Sequence, residues 1–326
     1  MNYAEVRPIA ASEIPVIDVA SLWTEGAGDA FATAKSLRRA SGEVGFFYVR
    51  NHRVPEPVIA RAHAAARLFF RLPIEDKLRV CVNPYHHGFL RIGEAKMANG
   101  AKADLKESFV WGLDLPKGDP ERATNPFLGP NNWPDFMPEL RAGLYPFFEA
   151  MTNCAKMLMR AFAVSLDLPP DTFLKSCERP ISRSSVIYYP PQPPSLGREQ
   201  FGVAPHTDYG CLTLLWQDDV GGLEVQNIAG EWLTAHPIPG TLVVNVGDLL
   251  ARWTNDKFTS TPHRVVNRRG LDRHSMVLAF DPDFHTVIDP AATCGPNELP
   301  KYAPVCCGDY VLGRFDAAFA YRQRNA

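Results

Sequence analysis

In the segment APHTDYG (204–210) a histidine and an aspartate stand two residues apart, immediately ahead of the apolar run CLTLLW (211–216). Polar groups of this kind seldom border a buried run without a partner. In an extended chain successive side chains alternate between faces, so His206 and Asp208 project to one side and Thr207 to the other. His263 follows Pro262 at the head of a further apolar stretch, 263 − 208 = 55 residues beyond Asp208. Two imidazoles and one carboxylate on one face of an octahedral ion leave other positions open, a ligand set suited to ferrous oxygen chemistry. Alone, the spacing fits strand-end polar groups as well.

A second pattern lies downstream. In RHS (273–275) alternation puts Arg273 and Ser275 on one face and His274 behind. A guanidinium fork binds a carboxylate bidentately and keeps its charge when buried, and a serine hydroxyl adds a further hydrogen bond. An acid held near a metal is the chemistry these two donors suit. Taken singly, Arg273 also reads as a surface ion pair at the turn-like NRRGLDR (267–273).

These side chains need a scaffold that brings distant segments together. After a short strand at IPVID (14–18), residues 29–41 carry Phe31, Ala34 and Leu37 on one helical face. VGFFYVRNH (44–52) is rich in strand formers, and residues 55–73 form a helix between prolines with Ile59, Ala62, Ala66 and Phe69/Phe70 on one side. The segment 80–135 reads mostly as loop, apart from the strand-like ESFVWGLDL (107–115). The longest helical pattern, 138–170, has Leu140, Leu144, Phe148, Met151, Ala155, Leu158 and Phe162 at helical spacing, with Pro146 placed to kink it. From about 181 the texture changes to short runs between turn residues: 185–189, 211–216, 222–226, 231–235, 241–246, 263–267 and 275–280. Seven strands at that spacing imply a sandwich or barrel, and helices before strands imply an α+β chain with a β core.

Composition narrows the partners. The chain has 326 residues, 46% hydrophobic and 21% charged, which is long enough for two lobes or one elaborated core. Its 34 Lys and Arg nearly balance 36 Asp and Glu, with no basic run, which argues against nucleic acid. Seven scattered cysteines without a CxxC pair point to a reduced, cytoplasmic setting. The sequence shows neither an export signal nor 18 uninterrupted apolar residues, so no membrane partner is expected.

His206, Asp208, His263, Arg273 and Ser275 together form the HxD…H…RxS pattern, and the chain resembles the 2-oxoglutarate/Fe(II)-dependent dioxygenases, in particular the isopenicillin N synthase-like branch. Further blocks follow in family order over about residues 14–320, among them GFFYVRNH (45–52), DLKESF (104–109), NNWP (131–134), YYPP (188–191), GDLL (247–250) and FDPD (280–283). The resemblance implies a double-stranded β-helix, or jelly-roll, core flanked by helices. It also implies a mainly helical N-terminal lobe over 1–180, a jelly-roll domain over 181–290 and a C-terminal extension over 291–326. Carried over by position, it implies Fe(II) held by His206, Asp208 and His263, with 2-oxoglutarate held by Arg273, Ser275 and Tyr189. Oxidative decarboxylation of that keto acid with O2 would be coupled to hydroxylation or a related oxidation of a small molecule, by a monomer or weak homo-oligomer. Two positions depart from the pattern: Ile187 stands where plant-type members usually carry asparagine, and Arg53 stands where NHGV has glycine.

Three other readings compete. An isopenicillin N synthase-type oxidase shares the triad and RxS without using 2-oxoglutarate, although AYRQRNA (320–326) lacks that enzyme's penultimate glutamine. A catalytically silent ligand-binding jelly roll would be signalled by a missing iron ligand, and all three are present. A zinc hydrolase would want a general base that the sequence does not offer nearby. Of the remaining histidines, His52, His63, His236, His274 and His285 read as structural, whereas His86, His87 and Arg91 fall in the segment expected to border a substrate. Phe109 and Trp111 read first as core.

Overall fold

The computed structural model describes residues 6–7, 14–24, 27–95, 102–192 and 200–323. Much of the N-terminal stretch read for an export signal, and the final three residues, lie outside them. In chain order, β1 (Val6–Arg7), β2 (Val16–Asp18), α1 (Ala27–Glu43) and β3 (Phe46–Arg50) lead to α2 (Glu56–Phe70) and α3 (Ile74–Leu78). Next come β4 (Gly88–Leu90), β5 (Glu107–Gly112), α4 (Glu121–Thr124) and the long α5 (Pro138–Ser165). Strands then dominate: β6 (Arg183–Tyr189), β7 (Val203–His206), β8 (Leu212–Gln217), β9 (Leu223–Gln226), β10 (Trp232–Thr234) and β11 (Thr241–Val246). After α6 (Asp248–Trp253) follow β12 (His263–Val265), β13 (Arg273–Phe280), β14 (Val287–Ile288), β15 (Val305–Cys306), α7 (Cys307–Ala318) and α8 (Ala320–Gln323).

Two sheets form the core, one ordered β1-β10-β9-β12-β7 and the other β2-β3-β11-β8-β13-β6-β5-β4. The β1/β10 and β2/β3 pairs are parallel and the other pairs of these two sheets antiparallel. Period-two alternation gives the larger sheet two different faces. Phe47, Val49, Val186, Leu212, Leu214, Leu242, Val244, Met276, Leu278 and Phe280 join the large core beneath helices α1, α2 and α5. The other face contributes Phe46, Tyr48, Tyr189 and Val243 to a second core shared with Val203, Leu223, Val225 and Val265 of the smaller sheet. The chain is thus an α+β protein with a jelly-roll core.

Helix α5 runs to Ser165 without breaking at Pro146, and Asp167, at φ 59°, follows its end. Phe147 and Phe162 on it are fully buried, a contribution of about 2–3 kcal/mol each. On α1 the expected apolar face is narrower than it reads. Ala34 and Leu37 are buried, but Phe31 is exposed beneath the Lys35 ammonium, 4.6 Å from its ring centroid. The lobe expected over 1–180 also supplies β2, β3, β4 and β5 to the larger sheet, so strand pairing crosses residue 180. In place of the family glycine, Arg53 takes φ 57°, a region that glycine enters without Cβ strain. Among the described residues no helix is long and apolar enough to cross a membrane.

On the helix side of β13, His274 packs edge-on against His63 at 5.4 Å between centroids. Burial, with help from His63 and Arg67, lowers its pKa to about 4. The folded chain therefore resists a proton that the unfolded chain accepts near pH 6.5, so this contribution is present above 6.5 and lost as pH falls toward 4. The slope is about 1.4 kcal/mol per pH unit. Urea midpoints should show His274→Gln gaining on the wild type between pH 7 and pH 5; a constant difference would contradict this.

Candidate metal centre

The centre begins with a register. In the antiparallel pairing of β12 on β7, His263 lies opposite His206, and the ring centroids are 4.3 Å apart. Asp208 Oδ1 is 3.7 Å from the Nε2 of each histidine. These separations are too long for hydrogen bonds and short enough for one shared ion. Among the described residues this is the sole group of three or more His, Cys, Asp or Glu side chains close enough to hold a metal. The Nδ1 atoms turn the other way, His206 to the Ala204 carbonyl at 2.8 Å and His263 to the Thr261 carbonyl at 3.2 Å. Each imidazole can donate there, which leaves the Nε2 lone pairs facing Asp208.

The route by which Asp208 arrives differs from simple strand alternation. β7 ends at His206, and Asp208 sits in the loop that follows. The β11–α6 junction braces that loop: the backbone N–H groups of Asp248, Gly247 and Leu249 donate to the carbonyls of Asp208, Cys211 and Gly210 at 2.8, 2.9 and 3.0 Å. A Cβ on Gly247 would lie 2.2 Å from the Gly210 carbonyl, so only glycine admits this approach. From the other side, Asp281 Oδ1 accepts the Cys211 N–H at 2.9 Å while its Oδ2 pairs with buried Arg183 at 2.9 Å.

Charge at the centre is set by burial and by mutual contact. Desolvation, reinforced by His263, drops the His206 pKa to about 3, so it is neutral and able to bind metal. Burial alone would raise the Asp208 carboxyl. The facing imidazoles of His263 and His206, with bonds from Asn245 and Thr213, outweigh it and hold the pKa below the usual value. Asn245 Nδ2 donates to Asp208 Oδ2 at 2.7 Å, which leaves Oδ1 turned to the histidines.

The RxS pair faces the same cavity. Arg273 and Ser275 lie on β13 opposite Tyr189 and Ile187 of β6, and all four line the space that also reaches His206, Asp208 and His263. Arg273 is fully buried, donates through Nε to the Gly221 carbonyl, and places its guanidinium 4.5 Å from the Tyr189 ring centroid. Its Nη1 and the Ser275 Oγ are buried with no hydrogen-bond partner among the described residues. Unused donors on a buried cation are costly unless an anion completes them.

Residues 14–136 match the family described as non-haem dioxygenase in morphine synthesis N-terminal, and residues 181–282 match the 2OG-Fe(II) oxygenase superfamily. The chain is 34% identical to a 2-oxoglutarate-Fe(II) type oxidoreductase, ppzC, of Metarhizium rileyi, over 96% of its own length and 90% of the relative's. The chain belongs to the 2OG-Fe(II) oxygenase superfamily. A homoarginine-6-hydroxylase of Oryza sativa is 31% identical over 92% of this oxygenase and 95% of that relative. A full-length Neurospora crassa protein, solved in complex with alpha-KG, superposes with a TM-score of 0.84 at 28% identity, covering 94% of this chain and 97% of that one. The protein is accordingly a 2-oxoglutarate- and Fe(II)-dependent dioxygenase that couples decarboxylation of the keto acid to hydroxylation or a related oxidation of a second substrate.

Other residues of the oxygenase fall as follows. Arg91 lines the cavity, as does His86, whose Nδ1 lies 2.5 Å from the Tyr321 hydroxyl. Phe109 and Trp111 pack with Trp133 on the far side of β5. Asn245, Asp281 and Arg183 escaped the sequence reading as parts of the site, although FDPD and GDLL flagged two of the segments involved. Replacing Asn245 with alanine frees Asp208 Oδ2 and should weaken Fe(II) binding about 10–100-fold by anaerobic titration; unchanged affinity would exclude the bracing role.

Proposed function

We propose that His206, Asp208 and His263 hold the ferrous ion and that Arg273, Ser275 and Tyr189 hold 2-oxoglutarate. The observation that carries this reading is a pair of unsatisfied buried donors, Arg273 Nη1 and Ser275 Oγ, lining the same cavity as a cluster of three acceptors. The donor set fits the ion and the co-substrate in kind: neutral imidazole and carboxylate for Fe(II), guanidinium and hydroxyl for a distal carboxylate. When bound, the iron would let O2 convert 2-oxoglutarate to succinate and CO2, one oxygen atom entering succinate and the other either entering the second substrate or leaving as water with two hydrogens taken from it.

The protein's own part is placement and exclusion. The carbonyls of Ala204 and Thr261 fix the imidazole tautomers. Tyr189 presents its ring face to the Arg273 guanidinium and so limits how that side chain turns. Ile187, opposite Ser275, makes this part of the wall apolar where plant-type relatives offer an amide. Leu90, Val110, Leu215 and Leu223 extend the apolar lining, and Phe315 and Phe319 bring the C-terminal extension to it. In this proposal a lobe over 1–180 lends strands to the larger sheet beside a jelly-roll domain over 181–290 and a C-terminal extension over 291–326. A small-molecule substrate, a cytoplasmic setting supported by seven free cysteines, and a monomer or weak homo-oligomer complete it.

Succinate release from 2-oxoglutarate, with Fe(II) and O2, is the test. The wild type should release succinate and His206→Ala should fall to the no-enzyme rate. Arg273→Leu should raise the KM for 2-oxoglutarate roughly thirtyfold or more, the cost of losing a buried charged contact. Turnover that survives in His206→Ala would overturn the iron assignment, and an unchanged KM would overturn the role of Arg273.

A further inference from the structure

Alternation on β5 and the residue before it divides that segment between two environments. Glu107 pairs with Lys77 at 2.7 Å on one side, together with Phe109 and Trp111, whereas Lys106, Ser108 and Val110 line the cavity. Lys106 is only 9% exposed, so its ammonium is largely withdrawn from solvent, which is unfavourable unless anions meet it. Among the described residues its polar partner is the Asp104 carboxylate at 3.4 Å, long for a hydrogen bond, so three N–H donors are not exhausted. Asp104 Oδ1 accepts the N–H of Ala204, on the strand of His206, at 3.0 Å, while its buried Oδ2, which has no hydrogen-bond partner among the described residues, faces Lys106 and takes up one of the ammonium's three directions. Lys106 shares the cavity lining with both His206 and His86.

The cavity's other charges are already committed. Arg183 is neutralised by Asp281, Arg91 meets Glu94 at 3.0 Å on the rim, and Asp208 faces the histidines. Arg273 belongs to the 2-oxoglutarate end. Among the described lining residues, four are Lys or Arg and Asp208 is the sole carboxylate. We infer that Lys106 anchors an acidic group of the second substrate, and that this substrate is a small carboxylate-bearing molecule whose apolar part lies among Leu90, Val110, Phe315 and Phe319. One ammonium, with the Ser108 hydroxyl two residues along the same wall, matches the single charge and two oxygens of a carboxylate, whereas a phosphate would bring more charge than this wall can answer.

This inference rests on the iron and 2-oxoglutarate assignment above, and its test separates the two. In the anaerobic Fe(II)–2-oxoglutarate form, with Arg273 engaged, benzoate and benzamide serve as charged and neutral probes of one shape, followed by calorimetry. The wild type should bind benzoate at least about tenfold more tightly than benzamide. Lys106→Met should lose that preference and Lys106→Arg should keep most of it, with the weak visible band of the Fe(II)–2-oxoglutarate complex forming in all three. Equal affinities in the wild type, a preference that survives Lys106→Met, or no binding of either probe at tens of millimolar would each overturn the inference. Failure of the band to form in the wild type would instead overturn the assignment beneath it, and the inference with it.

Discussion

The pairing of β12 with β7 is the contact on which the centre depends, because it sets two histidines 57 residues apart face to face. Register in a buried sheet is strongly specified, since a slip of one residue would turn every side chain to the opposite face. Here such a slip of β12 would turn His263 away from His206 and Asp208. Beyond an irregularity in the ladder that shifts the register after His263, Val265 lies opposite Val203, and burial of both in the second core anchors the two strands there. Packing and ligand geometry are thus enforced by the same few strands.

The third member of the cluster is secured differently. Asp208 lies beyond the end of β7, where ladder hydrogen bonds no longer fix the chain, and its position comes from contacts made by distant residues. The backbone of α6 receives the loop through three N–H groups, Asn245 holds one carboxylate oxygen, and Asp281 ties the loop's far end to Arg183. A fully buried carboxylate such as Asp281 is tolerable because its oxygens are met by a guanidinium and a backbone amide. Rigid support of this kind keeps a three-ligand face in place without the ion having to organise it.

The parts legible in the sequence were those with local periodicity or a distinctive residue set. His206, Asp208 and His263 stand out once their type and spacing are read together with RxS and the ordered family blocks, and the sidedness of β13, with Arg273 and Ser275 inward and His274 outward, follows from alternation alone. The strand that carries His206 lacks the signature of the seven apolar runs beyond about 181, because VAPH is four residues long and contains a proline. Phe31 misled for the opposite reason: its position fits a helical face, but nothing in the sequence shows where that face ceases to be covered. Asn245, Asp281 and Arg183 act through partners 37, 70 and 98 residues away, and periodicity carries no information at that range.

Crystals loaded anaerobically with Fe(II) and 2-oxoglutarate would test the central claim most directly, through anomalous scattering at the iron edge. The account predicts one strong peak bonded to His206 Nε2, His263 Nε2 and a carboxylate oxygen of Asp208, with density for the keto acid running from it toward Arg273. An iron peak elsewhere, or one at this position that lacks either histidine as a ligand, would contradict it.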